Sequence, residues 1–83
     1  MKDQSIIHSV PTLSDPIQTS EQLGQFIKKI RKQQGVKQQD LADYANLSRV
    51  TLVHLEQGQT DVRLSTLLEV IHLLGYELVC KKR

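Results

Sequence analysis

Apolar residues fall at helical spacing in four stretches of this chain, and turn-forming residues separate them. Leu23, Phe26, Ile27 and Ile30 repeat at i, i+3, i+4 and i+7. Thr19 precedes them as an N-cap, Gln22 completes a capping box, and Gly35 follows as a stop. A first helix is therefore predicted over about 20–34. A second, over about 37–45, turns Leu41, Ala42 and Ala45 inward. After a break at Asn46-Leu47, Ser48 caps a third helix that stops at Gly58. Gln59-Thr60-Asp61 reads as a loop. A fourth helix over about 63–74 sets Leu64, Leu67, Leu68, Ile71 and Leu74 on one face, and Gly75 ends it.

The two ends lack this period. Pro11 and Pro16 exclude a helix from residues 1–18, and Asp15-Pro16 favours a turn. Ser5–Val10 reads as a short strand, an arm packing on a partner, or a disordered lead. Tyr76-Glu77-Leu78-Val79-Cys80 is β-prone and roughly alternating, and reads as a strand. A lone strand in a helical domain has backbone groups without partners. The same strand of a second copy supplies them in a two-fold antiparallel pair. The predicted organisation is an N-terminal arm over 1–18, a helical domain over 19–75, and a dimerisation strand with a basic tail over 76–83.

The third helix has an unusual outer face. At 100° per residue, Leu52 and Leu55 fall on one side. Arg49, Val50, Val53, His54 and Gln57 fall on the other. A solvated face seldom carries two valines. A face that reads the major groove of DNA has a use for them, because a thymine methyl takes an apolar partner.

Composition narrows the alternatives. A chain of 83 residues is one small domain. At this size folding removes only about 60% of the unfolded surface from water, which favours dimerisation. The net charge of +2 implies little alone, but its distribution is uneven. Lys28, Lys29, Arg31, Lys32 and Lys37 occur with no acidic residue between Gln22 and Gln39, and Lys81-Lys82-Arg83 ends the sequence. Each cluster is either a phosphate-facing surface or an ordinary solvated one. Cys80 is the single cysteine, so no disulfide staples a monomer. It reads as a small buried hydrophobe. No signal peptide or apolar run near 18 residues stands out, so a cytoplasmic protein without membrane contact is expected. Few aromatics argue against base-stacking modes of single-strand recognition. No nucleophile–base set, paired carboxylates or phosphate-cradling glycine loop is visible, so no enzyme, cofactor or metal site is expected. His8, His54 and His72 are too scattered to ligate a metal.

The stretch from Leu23 to about Leu74 resembles the Cro/CI-type (XRE) helix-turn-helix family. The resemblance is carried by Ile30-Arg31, Gly35-Val36, Gln38, Leu41-Ala42, Ser48-Arg49, Thr51, Leu55-Glu56, Gly58, Leu64 and Thr66-Leu67-Leu68. It implies an all-α, lambda-repressor-like bundle of four to five helices, with the C-terminal strand pairing across a homodimer. It also implies sequence-specific binding to a near-palindromic double-stranded DNA operator. Leu73-Leu74-Gly75-Tyr76-Glu77-Leu78 followed by Val79-Cys80 is similar to HipB-like antitoxins. Those proteins repress their own operon and bind a HipA-like kinase toxin. A stand-alone phage-type or HigA-like regulator is the alternative. Three positions depart from the family pattern. Lys37 replaces a capping Thr, Asn46 replaces the turn Gly, and Val62-Arg63 replace Pro-Ser before the fourth helix.

The resemblance assigns roles. Gln38, at the start of the second helix, contacts phosphate. Ser48 caps the third helix and touches the DNA backbone. Arg49 reads guanine with its fork or else bonds phosphate. Val50 and Val53 pack on thymine methyls, or instead on the second helix or a neighbouring molecule. Thr51 bonds phosphate or its own helix, and His54 donates to a base or a phosphate. Lys28, Lys32, Lys37 and Gln59 are backbone contacts or plain surface. Arg31 and Glu56 form an ion pair tying the third helix to the first. Tyr76, Glu77, Leu78, Val79 and Cys80 form the dimer interface.

Overall fold

The computed structural model describes residues 16–59 and 61–83. Within them are four helices: α1 (Ser20–Gln33), α2 (Gln38–Tyr44), α3 (Arg49–Glu56) and α4 (Leu64–Leu73). Each lies within its predicted bounds, and the residues trimmed are mostly caps. Residues 1–15 of the predicted arm over 1–18, with His8, and Thr60 of the loop lie outside the described residues.

Local chemistry accounts for the starts. Thr19 Oγ1 accepts from the Gln22 amide at 3.0 Å, and Ser48 Oγ accepts from the Thr51 amide at 3.0 Å. The reciprocal half of the box at α1 is displaced by one residue. Gln22 Oε1 takes the amide of Gln18 at 2.6 Å, not that of Thr19. Lys37 and Arg63 give α2 and α4 no side-chain cap.

The stops are uniform. Every helix ends in a Schellman motif, in which the two residues beyond the cap donate back to the last turn. Gly35 and Val36 bond Lys32 and Arg31 carbonyls; Asn46 and Leu47 bond those of Asp43 and Ala42. Gly58 and Gln59 bond Leu55 and His54; Gly75 and Tyr76 bond His72 and Ile71. The motif needs a left-handed residue, and at the turn before α3 that residue is Asn46, with φ 58°. Asparagine tolerates this region better than other residues with a Cβ. At three of the stops the next residue is apolar: Val36, Leu47 and Tyr76 all pack against the core. At α3 it is Gln59, which is exposed.

The core is one cluster. Ile27 and Ile30 of α1, Leu41 and Ala42 of α2, Leu52 and Leu55 of α3, and Val70 and Ile71 of α4 meet in it, with Ala45 and Leu74. Phe26 meets Tyr76 edge to face, ring centroids 5.4 Å apart, and Gln34 donates to the Leu74 carbonyl at 2.7 Å. Together these hold the end of α4 against α1.

One expectation needs correction, and two about the tail are not met in the single chain. Leu64 was placed on the buried face of α4, but it is 65% exposed and Val70 is fully buried. Leu64 is the first helical residue and overhangs the core, so the apolar face rotates toward Val70. No strand forms among the described residues, and 76–83 takes no regular secondary structure. Among the described residues no strand offers this segment an edge to pair with. For the same reason Cys80 is exposed and not buried.

The turn at Asn46 gives a direct test. Asn46→Gly should hold or slightly raise the urea midpoint, whereas Asn46→Val should destabilise the fold by about 1–2 kcal/mol. Equal midpoints for the two variants would contradict the assigned backbone conformation.

Candidate nucleic-acid interface

The predicted reading face of α3 is presented outward. Arg49, Val50 and His54 are exposed, Val50 by 62%, while Thr51 and Val53 are half-buried. Leu52 and Leu55 face the core, as the periodicity requires. Ser48 Oγ and Thr51 Oγ1 lie 2.9 Å apart, so both hydroxyls serve the first turn of α3. Lys28, Lys32, Lys37 and Gln59 are exposed. The Gln59 amide also reaches Gln57 Oε1 at 3.4 Å.

Behind this face lies a buried polar chain. Arg31 and Glu56 are 6% and 5% exposed. Arg31 Nε donates to Glu56 Oε2 at 2.6 Å and its Nη2 to Oε1 at 3.2 Å. Its Nη1 donates to the Val36 carbonyl at 2.8 Å. The guanidinium fork suits this paired geometry, and the charges satisfy each other where water is excluded. Among the described residues no buried side-chain nitrogen or oxygen lacks a partner.

Gln38 extends the chain to the surface. Its Nε2 donates to Glu56 Oε1 at 3.0 Å. Its Oε1 accepts from Arg49 Nε at the longer distance of 3.4 Å. Arg49 and Glu56 are seven residues apart and share one side of α3. Gln38 bridges them from the first turn of α2. The contact uses the inner nitrogen of Arg49, and the terminal pair that fits guanine O6 and N7 is not part of it. Sequence reasoning placed Gln38 at this helix start but missed its engagement with both partners. No sequence signal marks the bridge, because it depends on where α3 passes.

This is a tight turn between α2 and α3, with α3 turned outward and braced from behind. Residues 27–79 match the profile of the Helix-turn-helix family. The chain belongs to the XRE-type helix-turn-helix family. Two solved structures of the clp gene regulator ClgR from Corynebacterium glutamicum are similar to it. One is 31% identical with a TM-score of 0.65, covering 82% of this chain and 66% of that one. The other is 29% identical with a TM-score of 0.68, covering 78% of this chain and 83% of that one. The chain thus spans just under two thirds of the first structure. No curated protein matches. The matched helix-turn-helix family and the two gene-regulator structures support a DNA-binding transcription regulator.

Among the described residues no group of three or more His, Cys, Asp or Glu is placed to hold a metal. No described helix is long and apolar enough to cross a membrane. In the regulator's tail, Tyr76 packs on Phe26, and Glu77, Leu78, Val79 and Cys80 are exposed.

Glu56→Ala leaves Arg31 buried without its counter-charge and should cost about 3–5 kcal/mol in urea unfolding. Replacing the pair together, Arg31→Met with Glu56→Leu, should recover most of that loss. A double variant no more stable than Glu56→Ala would show that the pair is not isolated from water.

Proposed function

We propose that this regulator is a cytoplasmic, homodimeric repressor that lays α3 of each protomer in successive major grooves of a near-palindromic operator. The observation that carries the reading is the outer face of α3. Arg49, Val50 and His54 stand exposed there, and Arg49 is steadied through Gln38 from the buried Arg31–Glu56 pair. Arg49 reads guanine, Val50 and Val53 meet thymine methyls, and His54 donates at the groove edge. Ser48, Thr51, Lys37 and Gln59 contact the backbone. The spare N–H of Gln38 is directed at phosphate. Half-sites lie about 10 bp apart, centre to centre, on one side of the duplex.

The exposed tail supports the dimer. Leu78 and Val79 are 47% and 78% exposed on a segment without regular secondary structure. Pairing Tyr76–Cys80 with the same residues of a second protomer satisfies their backbone groups and covers Cys80.

A second reading adds a partner: the antitoxin of a HipBA-type system, restraining a HipA-like kinase toxin. It is favoured by the resemblance over residues 73–80 alone. The two matched structures are named as a gene regulator, which supports the alternative of a regulator without a kinase partner. Co-purification with the product of an adjacent kinase-like gene would establish the antitoxin role. A stable repressor with no such companion would dismiss it.

Selection of duplexes from a random pool tests the main proposal. The expected winner is a near-palindrome, bound with a steep salt dependence. Arg49→Ala should cost about 1–3 kcal/mol on that duplex and relax preference at one base pair. Uniform weakening on every sequence would make Arg49 a phosphate contact. Deleting residues 76–83 should convert the dimer to monomer in sedimentation, and an unchanged mass would remove the strand pairing from the proposal.

A further inference from the structure

We infer that Gly24, facing the last turn of α3, sets the pose of that helix and so positions Arg49; the inference rests on the groove-reading role proposed above. A Cβ built at Gly24 would stand 2.5 Å from the Leu55 carbonyl oxygen and 2.6 Å from that of Glu56. On the other side of the same joint, a Cβ at Gly58 would stand 2.6 Å from Glu21 Cα and 2.8 Å from its nitrogen. These neighbours are backbone atoms and cannot swing aside. The first turns of α1 and the end of α3 therefore meet main chain to main chain.

Gly24 and Arg31 are seven residues apart on α1, two turns along the same face. Both meet Glu56. Gly24 lies against its carbonyl, and Arg31 grips its carboxylate at 2.6 Å. Ordinary van der Waals contact begins at 3.4 Å, so a methyl at Gly24 would force the end of α3 back by nearly 1 Å. From Glu56 to Arg49 the helix is only about 10 Å long, at ~1.5 Å per residue. A retreat of that size at one end tilts a rod this short by several degrees and moves the Arg49 guanidinium. Hydrogen bonds to base edges weaken over a few tenths of an ångström. Phosphate contacts made by long flexible side chains follow the movement. Discrimination between sequences is thus lost before affinity for DNA in general.

Gly24 is the cleaner of the two positions to substitute. Gly58 has φ +83° and is strained by any side chain, whereas Gly24 lies inside α1, where alanine is the better helix former. Gly35 supplies the control. It has φ +72° with nothing within 4 Å, so Gly35→Ala strains the backbone without pushing on α3.

The test measures binding of wild type, Gly24→Ala, Gly35→Ala and Arg49→Ala to two duplexes. One is selected by wild type from a random pool, and the other is a scrambled duplex of equal length. Helical content is checked by circular dichroism. Gly24→Ala should keep its helices, its affinity for the scrambled duplex and its salt slope, while the ratio of selected to scrambled affinity falls about tenfold or more. Gly35→Ala should melt earlier and keep the wild-type ratio. An unchanged ratio in Gly24→Ala, equal weakening on both duplexes, or an equal loss of ratio in Gly35→Ala overturns the inference. If Gly24→Ala is unfolded in buffer, the measurement is repeated in trimethylamine N-oxide. A chain still unfolded there makes Gly24 a folding residue and rejects the positioning role. A wild type that does not discriminate between the duplexes rejects the groove-reading proposal, and this inference with it. Discrimination that Arg49→Ala loses and Gly24→Ala retains rejects this inference alone.

Discussion

A guanidinium and a carboxylate sealed together between α1 and α3 fix how this domain is put together. Arg31 and Glu56 are 25 residues apart and nearly inaccessible to water. Removing either leaves the other charged in an apolar setting, so the pair demands that α1 and α3 meet in one register. An apolar contact of the same area would tolerate sliding. The carboxylate has two oxygens and both are used, one shared between Arg31 and Gln38. That sharing carries the constraint across to α2 and out to Arg49.

The consequence for binding is a division of labour. The scaffold side of α3 is held by directional bonds at its C-terminal end, by Ser48 at its N-terminal end and by Leu52 and Leu55 between. The exposed side chains of Arg49, Val50 and His54 carry no such tie apart from the long contact between Arg49 and Gln38. Side chains that meet bases gain from being placed in advance, since less ordering is left to the moment of contact. The lysines of α1 are exposed on flexible stems, which in the proposed complex suits the less exacting geometry of phosphate.

Much of this was legible in the sequence, and the reasons differ by element. The helices were readable because their apolar periods agree with their caps and stops; Thr19, Ser48, Gly35 and Gly58 each act where their chemistry says they should. The exposure of Arg49, Val50 and His54 followed from the 100° rotation alone. The face of α4 was misjudged because Leu64 satisfies the period yet sits at the helix start, where no neighbour reaches it. The capping box slipped by one residue because Gln22 has length enough to reach either amide. Gln38 as a bridge and Gly24 as a contact were not readable, because both depend on where a distant helix passes. The tail was read as a strand from its alternation, but a ladder needs a second chain, and the single one shows no regular structure there.

The helices themselves are short: seven residues in α2, eight in α3 and ten in α4. In water, isolated helices below about 12–15 residues are marginal even with favourable sequences. The surface proposed to meet DNA therefore has no existence apart from the assembled bundle. A fragment carrying only residues 48–58 would be a coil, and a protease cut anywhere in the core would silence the regulator outright instead of leaving a weakened reader. Turnover and control of such a protein become one event, since degrading any helix erases the message-reading surface as a whole.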